Sequence, residues 1–248
     1  MSGGRLEGKA AIVTGAATGI GRAIARRLAA DGAGVVINHL NTPDRAEAVL
    51  AEIESCGGTA IAVRADVSRR ADFEALFDVA QERFGHVDIL VNNAAVALLR
   101  PIAEATEGDM DMVLGVNVKG MLFGCQLAAL RLSDGGRIIN ISSATTGLML
   151  PGYGIYDMTK GAMEQVTRIL AKEIGHRGIT VNAVAPGATE TETYRQGKSE
   201  EFLAGLEGMS AFGRLGKVEE IADVVAFVAS HDARWLTGQI IRANGGTV

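Results

Sequence analysis

The chain has 248 residues, a formal net charge of −5 at pH 7 and 48% hydrophobic residues. This length fits one α/β domain or two small ones, and the hydrophobic content is ordinary for a globular protein, which argues against a disordered chain. The acidic balance, with no block of basic residues, argues against nucleic acid or an anionic membrane surface as the main partner.

The cysteines and the N-terminal residues bear on cellular location. Cys56 and Cys125 both fall inside apolar helical patterns and form no CxxC pair, so we expect buried, reduced thiols in a cytoplasmic protein. Residues 1–9 contain no apolar segment, so no signal peptide is expected. No apolar run is long enough to span a bilayer, and no metal site is predicted.

Short apolar strands alternate with amphipathic helices along the chain. This alternation predicts a single domain over residues 1–248, a doubly wound α/β fold whose parallel seven-stranded, Rossmann-like sheet carries helices on both faces. The strands are predicted at residues 10–13, 35–38, 60–63, 89–92, 137–141, 180–184 and about 239–242. Thr106 and Asp109 predict a capping box at the start of a long apolar helix. We expect the glycine-bearing excursion at about 187–213 to be a substrate lid, because loops this long are usually functional.

A glycine-rich turn, TGAATGIG over residues 14–21, links the first strand to the first helix. A helix N-terminus offers unpaired backbone N–H groups and partial positive charge, which suit a pyrophosphate, and glycine lets the backbone approach a ligand closely. An ordinary strand-to-helix turn is the alternative. The candidate cofactor-binding residues of this turn are Gly15, Thr18, Gly19, Ile20 and Gly21.

The end of the second strand bears on which dinucleotide binds. In dinucleotide folds an acidic residue at this place binds the ribose 2′-OH of NAD, and residues 37–41 contain none. No arginine or lysine stands there or in the glycine turn to meet the extra phosphate of NADP. His39 and Asn41 are candidate phosphate ligands, or else solvated loop residues. The pattern favours NADP(H) and leaves NAD(H) possible.

Tyr156 and Lys160 stand four residues apart on a predicted helix, so their side chains share one face. An ammonium close to a phenol favours the phenolate and lowers the pKa of the phenol, which suits it to proton transfer with a carbonyl or an alcohol. Ser143 follows the fifth strand, at the edge where such sheets bind ligands. The alternatives are a half-buried tyrosine beside a surface lysine, and a serine that caps a turn.

Several motifs, in order along nearly the whole chain, resemble the short-chain dehydrogenase/reductase family. They are Thr-Gly-x-x-x-Gly-x-Gly at 14–21, Asn92-Asn93-Ala94, Asn117, Ser143, Tyr156-x-x-x-Lys160, Pro186-Gly187 and Asn244-Gly245-Gly246. One departure is Ala95, where the family's motif after the fourth strand usually has glycine. The added methyl group either crowds this loop or is tolerated.

The resemblance implies roles for these residues. Tyr156 is implied as the general acid or base, and Lys160 as the residue that lowers its pKa and holds the nicotinamide ribose. Ser143 is implied to orient the substrate carbonyl, and Asn117 to support a water in a proton relay or to cap a helix distortion. The further cofactor residues implied are Asp66 (or a helix cap), Val67, Asn93, Ala94, Pro186, Gly187, Thr189 and Thr191.

Apolar residues flank the implied site, which indicates an apolar or mixed substrate or else core packing under a lid. They include Leu98, Leu99, Leu148, Met149, Leu150, Tyr153, Tyr194, Phe202 and Met209. Arg100, Arg195 and Lys198 are candidate contacts for an anionic carrier or acyl group, or else solvated surface residues. The resemblance implies an NADP-preferring carbonyl reductase acting on a small-molecule ketone, aldehyde or secondary alcohol, and a homotetramer. A 3-oxoacyl-carrier-protein reductase or a sugar dehydrogenase is the alternative. A non-catalytic NADP-binding sensor would need only the glycine turn, so the catalytic residues argue against it.

Overall fold

The computed structural model describes residues 4–192 and 199–248. Its main sheet contains seven parallel strands, as predicted. They are β1 (Ala10–Val13), β2 (Gly34–His39), β3 (Thr59–Arg64), β4 (Ile89–Asn92), β5 (Arg137–Ile141), β6 (Thr180–Pro186) and β9 (Ile240–Ala243). A separate parallel pair is formed by β7 (Thr189–Glu190) and β8 (Gly216–Lys217).

Helices connect these strands and cover both faces of the sheet. They are α1 (Gly19–Ala30), α2 (Pro43–Ser55), α3 (Arg70–Phe84), α4 (Glu107–Leu114), α5 (Met121–Arg131), α6 (Thr145–Leu148), α7 (Gly154–Ile174), α8 (Glu200–Met209) and α9 (Val218–Ala229). A π-helical segment, Gly115–Gly120, joins α4 to α5.

The strand order across the sheet is β3-β2-β1-β4-β5-β6-β9. The chain winds outward from β1 in one direction and then from β4 in the other, so β1 and β4 are neighbours although three helices separate them in sequence. A crevice forms at the carboxyl ends of the strands where the winding direction reverses, and ligands of such sheets bind there. The glycine turn follows β1 at this point.

Two apolar cores hold the layers together. On one face α1, α2 and α9 pack on the sheet through side chains such as Ile24, Leu28 and Val225. On the other face α3, α5 and α7 pack through side chains such as Phe77 and Leu170. The central strands are buried on both faces, as their continuous apolar runs predict for a parallel sheet. The predicted fold class is therefore confirmed.

The helix from Glu107 to Arg131 is long and apolar. Its start has the predicted capping box, in which Thr106 accepts from the Asp109 backbone N–H and Asp109 accepts in return. By length and composition this helix could cross a membrane, since an 18-residue window has a mean hydropathy of 1.5. The expectation that no run is long enough was therefore wrong. Of that window 44% is buried within the protein, and one helix of this kind is weak evidence for a membrane span.

The cysteines differ in environment. Cys125 is buried, and burial raises the pKa of its thiol to about 12. Cys56 is exposed at the C-terminal end of α2, in the turn that leads into β3. The expectation of two buried thiols is therefore correct for Cys125 and wrong for Cys56.

The excursion after β6 contains more regular structure than its polar sequence predicts. Helix α8 buries Leu203 and Leu206, and Ser199 caps it by accepting from the Phe202 backbone N–H at 3.2 Å. Strands β7 and β8 pair at the base of the excursion. The predicted contacts at Tyr194, Arg195 and Lys198 lie outside the described residues.

Candidate active site

Polar side chains from three strands hold the glycine turn. Thr14 Oγ1 accepts hydrogen bonds from the backbone N–H groups of Asn93 (2.9 Å) and Ala94 (3.0 Å). The Asn93 amide donates to the carbonyls of Thr14 and Gly15, and Asn38 Oδ1 accepts from the Gly15 N–H at 3.1 Å. The turn is thus tied to β2 and to the loop after β4. Asn38 and Thr14 were not among the predicted site residues, because their partners are distant in sequence.

Two glycines of the turn lie where no side chain fits. A Cβ at Gly21 would overlap the carbonyl oxygen of Gly15, and one at Gly15 would lie 3.0 Å from the Ala94 Cα. Gly15 also has a φ of +62°, which favours glycine. Within the described chain, α1 has no acidic residue in its first turn and Thr18 makes no capping hydrogen bond. The helix N-terminus therefore keeps donors for an anion.

A cavity of about 410 Å³ runs from this turn across the ends of β2 and β3. Most of the predicted cofactor residues line it, namely Gly15, Thr18, Gly19, Ile20, Gly21, Asp66, Val67, Asn93, Ala94 and Thr191. Asp66 also accepts from the backbone N–H (2.9 Å) and the hydroxyl (2.7 Å) of Ser68, so it shapes the turn before α3 as well. Both interpretations offered for Asp66 therefore fit its position.

The structure separates His39 from this group. Its imidazole is buried, the Nδ1 atom has no hydrogen-bond partner among the described residues, and burial lowers its pKa. Neither His39 nor the exposed Asn41 is among the described residues that line the cavity. Asn38, Leu40 and Arg45 line it instead, so a cation is present that the sequence analysis missed. Arg45 lies in the first turn of α2, which brings it back to the end of β2.

A second cavity, of about 350 Å³, holds three of the four predicted catalytic residues. Its walls include Ser143, Tyr156 and Lys160, together with the predicted Pro186, Gly187 and Thr189. It shares Ile20, Asn93, Ala95 and Thr191 with the first cavity, so the two are continuous. Ala95 lies at their junction with a negative φ, so the backbone tolerates its methyl group.

The expected effect of Lys160 on Tyr156 is wrong for this arrangement. Burial raises the pKa of Tyr156 to about 12, Asp157 adds to that increase, and a hydrogen bond with Ser143 opposes it. Lys160 Nζ donates to the Ile141 carbonyl at 2.6 Å and lies 5.5 Å from the centre of the Tyr156 ring. Burial lowers the pKa of Lys160 to about 8. At neutral pH the structure therefore pairs a neutral phenol with a lysine that is still mostly protonated.

Asn117 is fully buried in the π-helical segment, away from both cavities. Its Oδ1 accepts from the Val96 N–H at 2.8 Å, and its Nδ2 donates to the Val96 carbonyl (2.9 Å) and to Thr159 Oγ1 (3.1 Å). The side chain therefore ties the loop after β4 to the helix that carries Tyr156. Such π-helical insertions are frequent at functional sites.

These bonds lead to a stability prediction. Asn117→Leu leaves the Val96 N–H and carbonyl without partners, so we expect the free energy of unfolding to fall by about 1–3 kcal/mol. Urea titration measures the change. Lys119→Leu, at an exposed position of the same π-helical segment, is the control and is expected to change it by less than about 0.5 kcal/mol. Equal effects of the two substitutions would contradict the anchoring role.

Several known proteins are similar to this chain in sequence and in fold. A family model described as enoyl-(acyl carrier protein) reductase matches residues 15–248. The chain is 46% identical to an uncharacterized oxidoreductase of Methylorubrum extorquens, covering 98% of both chains. It is 42% identical to a short-chain type dehydrogenase/reductase of Picea abies, covering 98% of this chain and 93% of that protein.

A solved structure is similar to this chain in its fold as well. The angucycline C-6 ketoreductase LanV with bound NADP is 43% identical, superimposes with a TM-score of 0.94 and covers 98% of this chain and 97% of its own. The family match, the relatives and the seven-stranded parallel sheet agree with the motifs that carried the resemblance. The chain belongs to the short-chain dehydrogenase/reductase family of oxidoreductases.

Proposed function

We propose that this protein is an NADP(H)-dependent carbonyl reductase that transfers a hydride between nicotinamide and a ketone, an aldehyde or a secondary alcohol. The observation that carries the proposal is the position of Ser143, Tyr156 and Lys160 in one cavity that opens into the glycine-turn cavity. The NADP bound by the ketoreductase LanV supports the choice of cofactor.

The residues present fit a dinucleotide. The uncapped N-terminus of α1 and the glycine turn would hold the pyrophosphate, and Asp66 and Val67 line the side where the adenine would lie. Thr189, Thr191, Tyr156 and Lys160 would surround the nicotinamide end. When bound, the cofactor supplies the hydride. Its two ends thus correspond to the two joined cavities.

Tyr156 would protonate the substrate oxygen during reduction. Because burial raises its pKa to about 12, Tyr156 is a neutral phenol at pH 7 and carries the proton that this step needs. Oxidation of an alcohol needs the phenolate, which becomes populated only as the pH rises toward that pKa. At neutral pH Tyr156 is therefore in the protonation state that reduction needs. Ser143 on the same wall is placed to bind the same oxygen.

Arg45 supplies the preference for NADPH in this proposal. Its guanidinium lines the cavity beside Asn38 and Leu40, and its contact with Glu192 is long, at 3.4 Å. A guanidinium has five N–H donors, so Arg45 keeps donors for a phosphate. The absence of a carboxylate in residues 37–41 removes the repulsion that would exclude the 2′-phosphate.

We predict that Arg45→Gln raises the Kd of NADPH about tenfold or more, because it removes a charge-assisted contact with the 2′-phosphate. The Kd of NADH, which lacks this phosphate, should change less than about twofold. Fluorescence titration with both cofactors measures the effect. Arg26→Gln is the matched control, since Arg26 pairs with Glu52 at 3.3 Å and lines no part of this cavity within the described residues. Equal losses for both cofactors would contradict the assignment.

The substrate in this proposal is largely apolar. Leu99, Leu148, Leu150 and Tyr153 line the catalytic cavity. An adjoining cavity of about 360 Å³ shares Leu148 and Leu206 with it and adds Met209 and Phe212. Apolar walls with a few placed polar groups suit a hydrophobic ketone. Arg100 is bound to Asp109 at 2.5 Å, so it does not favour the alternative of an anionic carrier substrate.

We also propose that the protein is a cytoplasmic homo-oligomer, a tetramer by family resemblance. The outer faces of α5 and α7 expose Leu122, Leu130 and Ile169, with Leu130 74% accessible. Apolar patches of this kind mark interaction surfaces. Sedimentation equilibrium would measure the assembly, and a monomer at micromolar concentration would contradict it.

The proposed function is tested by cofactor consumption. Purified protein is assayed with NADPH and with NADH against ketones, aldehydes, 3-oxoacyl thioesters and sugars. The proposal expects turnover with NADPH on apolar ketones. Turnover restricted to thioesters or sugars would favour the alternative enzymes. Tight NADPH binding without turnover would favour the sensor.

A further inference from the structure

Three side chains are linked behind the catalytic serine. Thr145 Oγ1 lies 2.8 Å from Ser143 Oγ and 2.5 Å from Asp157 Oδ1. The backbone N–H of Thr145 also donates to Ser143 Oγ at 3.3 Å. Asp157 follows Tyr156 directly on α7. A continuous chain of hydrogen bonds therefore runs from Ser143, in the cavity wall, to a carboxyl group beside the general acid.

The number of available protons determines which group donates in each of these hydrogen bonds. Thr145 has one hydroxyl proton and two neighbours within bonding distance. An ionised Asp157 can only accept, so it takes the Thr145 proton, and the hydrogen bond between Ser143 and Thr145 Oγ1 then needs Ser143 as its donor, while Tyr156 can donate to Ser143 from the other side. A protonated Asp157 can donate to Thr145, which then donates to Ser143. In that state the Ser143 proton is free to point into the cavity.

We propose that Asp157 and Thr145 are positioning residues that set whether the Ser143 hydroxyl donates or accepts toward the substrate oxygen. The inference rests on the proposed function. A carbonyl oxygen only accepts hydrogen bonds, so it needs Ser143 as a donor. An alcohol can donate, so it tolerates Ser143 as an acceptor. Protonated Asp157 thus favours the carbonyl, whereas an alcohol, which can both donate and accept, pairs with Ser143 in either state.

The surroundings of Asp157 support this role. Burial raises the pKa of its carboxyl, and the hydrogen bond from Thr145 opposes that increase. The titratable groups facing it are Tyr153 and Tyr156 of its own helix, whose pKa values its charge raises. In the described part of the chain, no charged side chain of a neighbouring element shifts its pKa. The protonation state of Asp157 therefore changes the pKa of Tyr156.

The same helix provides a matched control. Glu164 Oε1 accepts from Ser142 Oγ at 2.9 Å and from Thr146 Oγ1 at 3.1 Å. This carboxylate thus binds the neighbours of Ser143 and Thr145 in the same manner, without a contact to the Ser143 hydroxyl among the described residues. Glu164→Gln removes a carboxylate from α7 and leaves the chain of Ser143, Thr145 and Asp157 intact.

The test is the pH dependence of KM for a ketone and for its alcohol. In the wild type, KM for the ketone should rise about three- to tenfold as the pH rises through the pKa of Asp157, because one hydrogen bond is lost. KM for the alcohol should change less than about twofold over the same range, because a hydroxyl pairs with Ser143 in either orientation. Asp157→Asn and Thr145→Val should abolish the rise for the ketone, whereas Thr145→Ser and Glu164→Gln should retain it.

A second measurement needs no substrate. The chain has three tyrosines, so Tyr153→Phe with Tyr194→Phe leaves Tyr156 as the sole phenol. In that background Asp157→Asn should lower the pKa of Tyr156, followed by tyrosinate absorbance, because it removes a nearby negative charge. Glu164→Gln should leave this pKa unchanged.

The outcomes are distinct. The inference is overturned if Asp157→Asn and Thr145→Val keep the wild-type pH dependence of KM. It is also overturned if Asp157→Asn leaves the pKa of Tyr156 unchanged. In both cases the proposed function stands. If the wild type reduces no carbonyl compound, the proposed function and the inference fail together.

Discussion

Tyr156→Phe is expected to lower kcat for ketone reduction by about 100- to 10,000-fold, the usual contribution of a positioned general acid. The substitution removes one hydroxyl from a largely buried ring, so the cavity keeps its shape. The Kd of NADPH, measured by fluorescence titration, should therefore change less than about threefold. The loss would then belong to the proton-transfer step and not to cofactor binding.

Tyr153→Phe is the matched control for this experiment. It removes a second phenol from the same cavity, at the residue that precedes α7. Because Tyr153 is not the proposed proton donor, its loss should lower kcat by less than about tenfold. A Tyr156→Phe enzyme that keeps more than a tenth of the wild-type kcat would contradict the assignment of the general acid.

Lys160→Met is expected to lower kcat for reduction at neutral pH at least about 100-fold without destabilising the protein, because it removes the ammonium proposed to hold the nicotinamide end in the catalytic cavity. Lys160 is 2% exposed, and the decrease of its pKa from 10.5 to about 8 costs roughly 3 kcal/mol at about 1.4 kcal/mol for each pH unit. Methionine removes this cost but leaves the Ile141 carbonyl without its donor, at about 1–3 kcal/mol. The free energy of unfolding at pH 7 should therefore stay equal or rise, while kcat falls at least 100-fold.

The pH dependence of stability tests the same residue. Between pH 8 and about 10 the unfolded chain keeps the Lys160 proton that the folded protein has released. The free energy of unfolding of the wild type should therefore increase with pH over this range. Lys160→Met should lack this increase when urea unfolding is repeated across the range. An identical slope in both proteins would show that Lys160 is not buried as a weak base.

Local patterns predicted the sheet well. The bounds of β1, β4 and β5 agree with the predicted strands, because each is a short apolar run closed by glycine or polar residues. The pair β7 and β8 was missed because it depends on contact between Thr189 and Gly216, which no local pattern records. Helix α8 was missed because its two buried leucines are separated by an alanine and a glycine, and glutamates and a further glycine surround them.

The candidate site was predictable where it depends on spacing along one element. Tyr156 and Lys160 share a helix face, and the glycine turn lies between a strand and a helix. Arg45 was missed because it reaches the nucleotide cavity from the following helix, although its place in the first turn after β2 was a usable signal. The direction of the Tyr156 pKa was wrong because burial, and not the lysine, dominates it.

The hydrogen bonds that link Ser143, Thr145 and Asp157 could not be predicted from the sequence, for a related reason. Asp157 on α7 lies twelve residues after Thr145 on α6, and only the packing of these two helices brings the hydroxyl against the carboxyl. Each residue taken alone is typical of a turn or a solvated helix face.

The central claim is that Tyr156 delivers a proton to a substrate oxygen while hydride reaches the carbon that bears it. The most direct measurement uses an α,β-unsaturated ketone and NADPH deuterated at the transferable position, with product analysis by NMR. If hydride reaches the carbonyl carbon, deuterium is expected on the carbinol carbon and the C=C bond stays intact. Deuterium on the β-carbon with the carbonyl intact would contradict the account and identify an enoyl reductase, the activity by which the matching family model is described.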